Sequence, residues 1–81
     1  MYDTDFLKWY NVYPRKVGKP KAHQAWKKIK PDTDLKRKMV LSVLEQSKSR
    51  QWQKEDYIPY PATWLNQERW NDKLPQEEEN N

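Results

Sequence analysis

Few residues in this chain could take part in catalysis or hold a metal ion, and their spacing does not indicate an enzyme. The chain has one histidine, His23, one glycine and no cysteine. His23 has no evident partner in the sequence, so we predict a surface or boundary position for it and not a general base. A metal site needs several histidines, cysteines or clustered carboxylates, and a phosphate-binding loop needs several glycines. We therefore predict a protein that is not an enzyme and has no catalytic residue, metal ligand, cofactor or small-molecule substrate.

Basic side chains carry the clearest functional signal. Residues 14–50 contain 12 basic and 3 acidic residues, a net charge of +9, whereas the rest of the chain contains 4 basic and 9 acidic residues, a net charge of −5. This distribution is expected for a protein with a polyanionic partner. A solvated surface that keeps the protein soluble explains it equally well. The candidate nucleic-acid-binding residues are Arg15, Lys16, Lys19, Lys21, Lys27, Lys28, Lys36 and Arg37.

Phosphate contacts made by lysine and arginine give affinity without sequence specificity. About four to six such contacts predict weak and salt-sensitive binding, with a Kd of about 10⁻⁴–10⁻⁶ M. The expected ligand is DNA, and the residues indicate no preference between single and double strands.

Two tryptophans near helix ends have three possible roles. Trp52 and Trp70 lie outside the apolar periodicity of the neighbouring segments. Both side chains are candidates to cover a thin hydrophobic core, to anchor a partner protein, or to stack on single-stranded bases. The sequence leaves these three interpretations open.

Apolar spacing predicts helices through most of the chain. Two helices follow from stripes at i, i+3, i+4 and i+7, which are Phe6, Trp9, Tyr10 and Tyr13 in the first and Ala22, Ala25, Trp26 and Ile29 in the second. Asp3 or Thr4 caps the first helix, which ends before Pro14, and the second lies between Pro20 and Pro31.

A longer third helix and a short fourth helix complete the predicted fold. Asp32 caps the third, which runs to about residues 50–53, with Leu41 on its flank and apolar positions at Leu35, Met39, Val40, Val43 and Leu44. Pro61 begins the fourth helix, which extends to about Trp70 with Trp64 and Leu65 as anchors. We therefore predict an all-α bundle of three main helices plus a short fourth.

Tryptophan and tyrosine supply most of the expected core. The chain has five of each, and an aromatic ring buries about 150–250 Å², so a few rings replace many aliphatic side chains. Residues 1–72 are expected to form one domain, and residues 73–81 a disordered acidic tail. No apolar run is long enough to cross a membrane. A cytoplasmic location is the expectation, because the absence of cysteine fits a reducing cytosol.

Three stretches of the sequence together form a recognisable pattern. The first joins residues 6–9 to residues 13–16, and the second is Lys19 followed by Ala22, Ala25, Trp26, Lys28 and Pro31. The third and most specific is the segment from Ile58 to Trp70. The three stretches resemble the C-terminal module of phage and prophage replication-initiation proteins, often called replisome organisers, over roughly residues 6–72. The resemblance implies the cytoplasm of a bacterial host. Such sequences often have histidine where this chain has Tyr60.

The resemblance implies an accessory role in phage DNA replication. A module of this kind either contacts DNA at the origin or recruits a replicative helicase or helicase loader. The upstream winged-helix domain that usually recognises the origin is not in this chain, so origin recognition is not expected of it. The leading hypothesis is weak nucleic-acid binding through the basic residues, and the alternative is a protein-interaction module.

Overall fold

The computed structural model describes residues 2–72, and all regular secondary structure in this range is helical. Four α-helices are accompanied by three short 3-10 turns, and no strand occurs between residues 2 and 72. The helices are α1 (Thr4–Val12), α2 (Lys19–Ile29), α3 (Thr33–Ser47) and α4 (Pro61–Asn66), and the turns are Gln51–Gln53, Glu55–Tyr57 and Arg69–Asn71. The predicted all-α fold is confirmed. The tail predicted for residues 73–81 lies outside the described residues.

Aspartate side chains cap the starts of two helices as predicted. The Asp3 carboxylate accepts hydrogen bonds from the backbone N–H groups of Asp5 at 2.7 Å and Phe6 at 3.2 Å, so Asp3 and not Thr4 is the cap. Asp32 accepts from the Leu35 N–H at 2.8 Å in the same way. These bonds satisfy backbone donors that have no partner in the first turn of a helix.

Two helices end earlier than predicted. Helix α3 stops at Ser47, short of residues 50–53, and the Ser49 hydroxyl donates to the Gln46 carbonyl at 2.6 Å. A serine that bonds to nearby backbone offers the chain an alternative to further helical bonds. Helix α4 stops at Asn66, because Glu68 adopts a left-handed conformation with φ 52° that no α-helix accommodates. This turn sends Trp70 back toward the core.

Contacts among aromatic rings form the centre of the bundle. Trp9 on α1 is fully buried, with its ring centroid 6.0 Å from that of Trp26 on α2 and 5.4 Å from that of Trp64 on α4. Helix α2 packs mainly on α4, and its buried residues Ala22 and Ala25 are small enough for two helices to approach closely. The predicted aromatic core is therefore confirmed.

The inward face of α3 differs from the prediction. Met39, Val43 and the polar Gln46 are its buried residues, whereas Leu44 is 42% exposed and Leu41 is 54% exposed. The predicted core position for Leu44 is wrong. The helix is rotated so that Gln46 faces inward, where it contacts a polar group of α4.

That polar group is the indole of Trp64. The Trp64 Nε1–H donates to Gln46 Oε1 at 2.8 Å, and Gln46 Nε2 in turn donates to the Arg69 carbonyl at 2.8 Å. The Ser42 hydroxyl adds a bond to the Trp70 carbonyl at 3.1 Å. These bonds join α3 to α4 and to the last turn, and they satisfy polar groups that burial would otherwise make costly.

Replacing Gln46 with methionine should destabilise the domain strongly. The substitution keeps the volume but leaves a buried indole N–H and a backbone carbonyl without partners, at about 1–3 kcal/mol each. We expect the free energy of unfolding to fall by about 2–4 kcal/mol, measured by urea denaturation followed by tryptophan fluorescence. Gln24→Met is the matched control, because Gln24 is exposed on α2 and its loss should change stability by less than about 0.5 kcal/mol. Equal effects of the two substitutions would contradict this role for Gln46.

Candidate nucleic-acid interface

Helix α2 presents several lysines to solvent. Its buried residues Ala22, Ala25 and Trp26 lie on one side. On the outer side, three exposed lysines form what we call the α2 lysine face, namely Lys21, Lys27 and Lys28. The segment from residue 19 to residue 30 contains five lysines and no carboxylate. Within residues 2–72, no hydrogen bond or ion pair engages the ammonium groups of the α2 lysine face.

Another exposed candidate cation lies on α3. Arg37 is exposed on α3 and lines a groove between α1 and α3 together with Lys8 and Lys36. Trp26, the residue before Lys27, lines the same groove. Arg37 of α3 and Trp26 of α2 therefore line the same groove.

Lys36 has an intramolecular role that the sequence did not indicate. Its ammonium group contacts the Asp5 carboxylate at 2.7 Å and so links α3 to α1. The hydrogen bond from Lys36 and its positive charge lower the pKa of Asp5, and the same bond raises the pKa of Lys36. Its charge is largely neutralised by Asp5, so Lys36 is a weaker candidate for a phosphate contact than the α2 lysine face.

Three other candidate residues, Arg15, Lys16 and Lys19, contact backbone carbonyls or aromatic rings, which do not neutralise their charge. The Arg15 guanidinium donates to the carbonyls of Glu55 at 3.2 Å and Ile58 at 3.0 Å. The Lys16 ammonium donates to the Tyr13 carbonyl at 2.7 Å.

Lys19 lies over two tyrosine rings, with its ammonium nitrogen 4.8 Å from the ring centroid of Tyr2 and 5.4 Å from that of Tyr10. Distances of this size permit a cation–π attraction. Lys16 and Lys19 also line a groove beside α1 with Lys8. Carbonyls and rings carry no net charge, so Arg15, Lys16 and Lys19 still contribute to the positive field of this region.

The two tryptophans left open by the sequence cover the core. Trp70 is 7% exposed and its ring lies 5.7 Å from that of Trp64, so the structure contradicts a role for Trp70 as an exposed stacking ring. Trp52 is half-buried, edge-on to Tyr13 at 5.6 Å. Both positions follow from the early ends of α3 and α4, which turn the chain back onto the bundle.

Sequence reasoning missed the aromatic residues that are exposed. Tyr57 is 68% exposed and Tyr60 is 51% exposed. The signal that could have identified them is their position in a loop segment beside Pro59 and Pro61, outside every helical stripe. A ring in such a segment has no helix face to direct it inward.

His23 occupies a structural boundary position. It is half-buried, its ring lies 4.9 Å from both Tyr2 and Phe6, and its Nε2 accepts a hydrogen bond from the Asp3 N–H at 3.3 Å. No cluster of three or more potential metal ligands occurs among residues 2–72. In the same range, no helix combines the length and the apolar character needed to cross a bilayer.

The contact between Lys36 and Asp5 predicts a measurable change in titration. A lowered carboxyl pKa contributes stability above the unfolded-state pKa, and this contribution is lost as the pH falls through the folded-state pKa. Lys36→Ala should raise the pKa of Asp5 toward its ordinary value, as measured by NMR titration of the carboxyl carbon. Lys38→Ala is the control, since Lys38 donates to Asn71 and not to Asp5. An unchanged Asp5 titration in the Lys36 variant would show that the ion pair does not persist in solution.

Comparison with known protein families corrects one expectation from the sequence. The family model that matches is that of the Legionella vir region protein LvrA C-terminal domain, over residues 1–68. The resemblance to the C-terminal module of phage replication-initiation proteins is therefore wrong. The expectation of a replicative helicase or loader as partner loses its basis with it.

Searches of curated proteins and of solved structures gave no match to this chain. The matching family model covers all four helices of the bundle. The chain belongs to the family of the Legionella vir region protein LvrA C-terminal domain.

Proposed function

We propose that this domain binds nucleic acid weakly and without sequence specificity through the α2 lysine face, with Arg37 at its border. The observation that supports the proposal is the exposure of Lys21, Lys27 and Lys28 on a helix without a carboxylate. Within residues 2–72 these ammonium groups have no protein partner, so they keep their full charge for a polyanion. In this proposal the domain acts by binding and not by catalysis.

The chemistry of the surface accounts for weak and non-specific affinity. Lysine is a flexible point charge that contacts phosphate without the fixed geometry needed to read a base edge. Each phosphate that is neutralised on a duplex contributes about −0.9 to the slope of log K against log salt. Three or four contacts therefore give a slope of about −3 to −4 and a Kd within about 10⁻⁴–10⁻⁶ M.

Reversing two charges on the α2 lysine face should weaken binding to any sequence. We expect Lys27→Glu combined with Lys28→Glu to raise the Kd for a labelled duplex at least about tenfold, because two phosphate contacts are replaced by repulsion. The measurement is fluorescence anisotropy at about 50 and 200 mM salt, where the wild-type affinity should fall steeply.

A control variant with the same change in net charge distinguishes binding by the α2 lysine face from attraction by the overall charge of the domain. Lys48 and Arg50 are exposed at the far end of α3, and Lys48→Glu combined with Arg50→Glu should weaken binding much less. Equal losses in both double variants would mean that the α2 lysine face has no special role. Wild-type affinity that does not change with salt would contradict the proposal altogether.

A second candidate function is docking of a protein helix on the outer face of α3. Arg37, Leu41, Leu44 and Lys48 are spaced by four, three and four residues, so they form one seam with two exposed leucines between two cations. A second copy of the chain would place cation against cation whether the two α3 helices ran parallel or antiparallel. The seam instead suits an amphipathic helix with apolar residues at its centre and carboxylates at both ends.

Designed peptides can test the docking function. A helical peptide with a leucine seam flanked by glutamates should bind, whereas the same peptide with lysines in place of the glutamates should not. Leu41→Asn combined with Leu44→Asn should abolish binding at a modest cost in stability, because both side chains are about half exposed. Titration calorimetry measures the affinity. Dimerisation of the wild-type domain in sedimentation equilibrium, or equal binding of both peptides, would contradict this function.

A further inference from the structure

Two tyrosine rings stand exposed in a domain that has few apolar residues to fill its core. The other aromatic residues between positions 2 and 72 are buried or half-buried, whereas Tyr57 is 68% exposed and Tyr60 is 51% exposed. Single exposed apolar residues are common on protein surfaces, but here two large exposed rings lie three positions apart on one loop segment. Because these rings are exposed, they contribute less to the stability of the bundle than the buried rings do.

The backbone that carries these rings is fixed at several points. The Tyr57 N–H donates to the Lys54 carbonyl at 3.0 Å, and the Ile58 N–H donates to the Glu55 carbonyl at 3.0 Å. The prolines at positions 59 and 61 have restricted φ angles. The segment is therefore ordered by its own hydrogen bonds before any ligand arrives.

Side chains from the end of α1 and the following connector also bond to this segment. The buried hydroxyl of Tyr13 donates to the Pro59 carbonyl at 2.6 Å. The Arg15 guanidinium adds its bonds to the carbonyls of Glu55 and Ile58. A ligand that stacks on the rings would therefore immobilise little more than two side chains, which keeps the entropy cost of binding small.

A cation lies over one of the rings. The Arg15 guanidinium carbon is 4.6 Å from the centroid of the Tyr60 ring and covers one face of it, so a base would stack on the opposite face. The adjacent Lys16 is exposed. Glu55 and Asp56 are exposed on the neighbouring turn and repel phosphate. The Arg15 cation attracts a polyanionic strand to the Tyr60 ring, whereas the carboxylates that precede Tyr57 in the chain oppose it.

We propose that Tyr57 and Tyr60 form a stacking platform for the unpaired bases of single-stranded nucleic acid, with Arg15 contacting the adjacent phosphate. The inference rests on the proposed function and deepens it, because it names single strands as the ligand. Unpaired bases stack on aromatic side chains regardless of sequence, whereas the bases of a duplex stack on one another and are closed to such rings.

The test compares single-stranded and double-stranded ligands on the same variants. The probes are a labelled oligothymidylate of about 20 nucleotides, slightly longer than the roughly 4–16 nucleotides of known single-strand sites, and a labelled duplex of equal length. Tyr57→Ala combined with Tyr60→Ala should weaken single-strand binding by roughly 10- to 100-fold, the size of one or two lost stacking contacts. Duplex binding should change by less than about twofold, since the α2 lysine face is intact.

Tyr57→Phe combined with Tyr60→Phe is the matched control. This variant retains both rings and should bind the oligothymidylate as the wild type does. Circular dichroism checks folding, and the single variant Tyr57→Ala, at the more exposed position, serves as a second test if the double variant unfolds. In NMR spectra of the wild type, the ring protons of Tyr57 should shift upfield when the single strand is added.

The outcomes separate the inference from the proposed function. If the alanine double variant binds the single strand as the wild type does, while charge reversal at Lys27 and Lys28 weakens both ligands, the platform is wrong and the proposed function stands. The same result is expected if the rings serve a protein partner. If the wild type binds neither ligand at millimolar concentration, both proposals fail.

Discussion

The structure depends on the contact of three indole rings, those of Trp9, Trp26 and Trp64, at the meeting point of α1, α2 and α4. Aliphatic residues are scarce in this chain, so these rings provide apolar area that leucine and isoleucine provide elsewhere. Their shape then constrains everything around them. Ala22 and Ala25 permit the close approach of α4 to α2, and the turn after α4 directs Trp70 onto the same cluster.

An aromatic core of this kind brings polar atoms into the interior. Gln46 accepts from the Trp64 indole and Pro59 accepts from the Tyr13 hydroxyl, so two of these groups have partners. Burial, the largest effect on Tyr13, raises the pKa of its hydroxyl, which therefore acts as a neutral donor. The indole N–H of Trp9 has no hydrogen-bond partner among residues 2–72. The core thus gains area from its rings at the expense of one unsatisfied donor.

The features that the sequence predicted follow from local chemistry. Asp3 and Asp32 cap helices because a carboxylate bonds to free N–H groups wherever a helix starts, and Pro14, Pro20 and Pro61 set backbone angles without help from the rest of the fold. The aromatic stripe of α1 was equally visible.

The features that were not predicted depend on contacts between distant parts of the chain. Gln46 is buried, and Leu44 is exposed, because Trp64 lies 18 positions further on. The ion pair between Asp5 and Lys36 and the exposure of Tyr57 and Tyr60 have the same origin. The segment from Ile58 to Trp70, which suggested a different family, is largely occupied with building the fold: Pro61, Trp64 and Trp70 are buried. Residues that build a core identify an architecture more securely than an activity.

The bonds from Tyr13 and Arg15 to the segment after α3 also bear on how the domain folds. They connect positions 40 to 46 residues apart in the chain, so they close one of the longest loops in the molecule. Contacts of such sequence separation form only after the entropy of loop closure has been overcome. This corner should therefore order late during folding, after α2 and α3 have been laid down between its two halves.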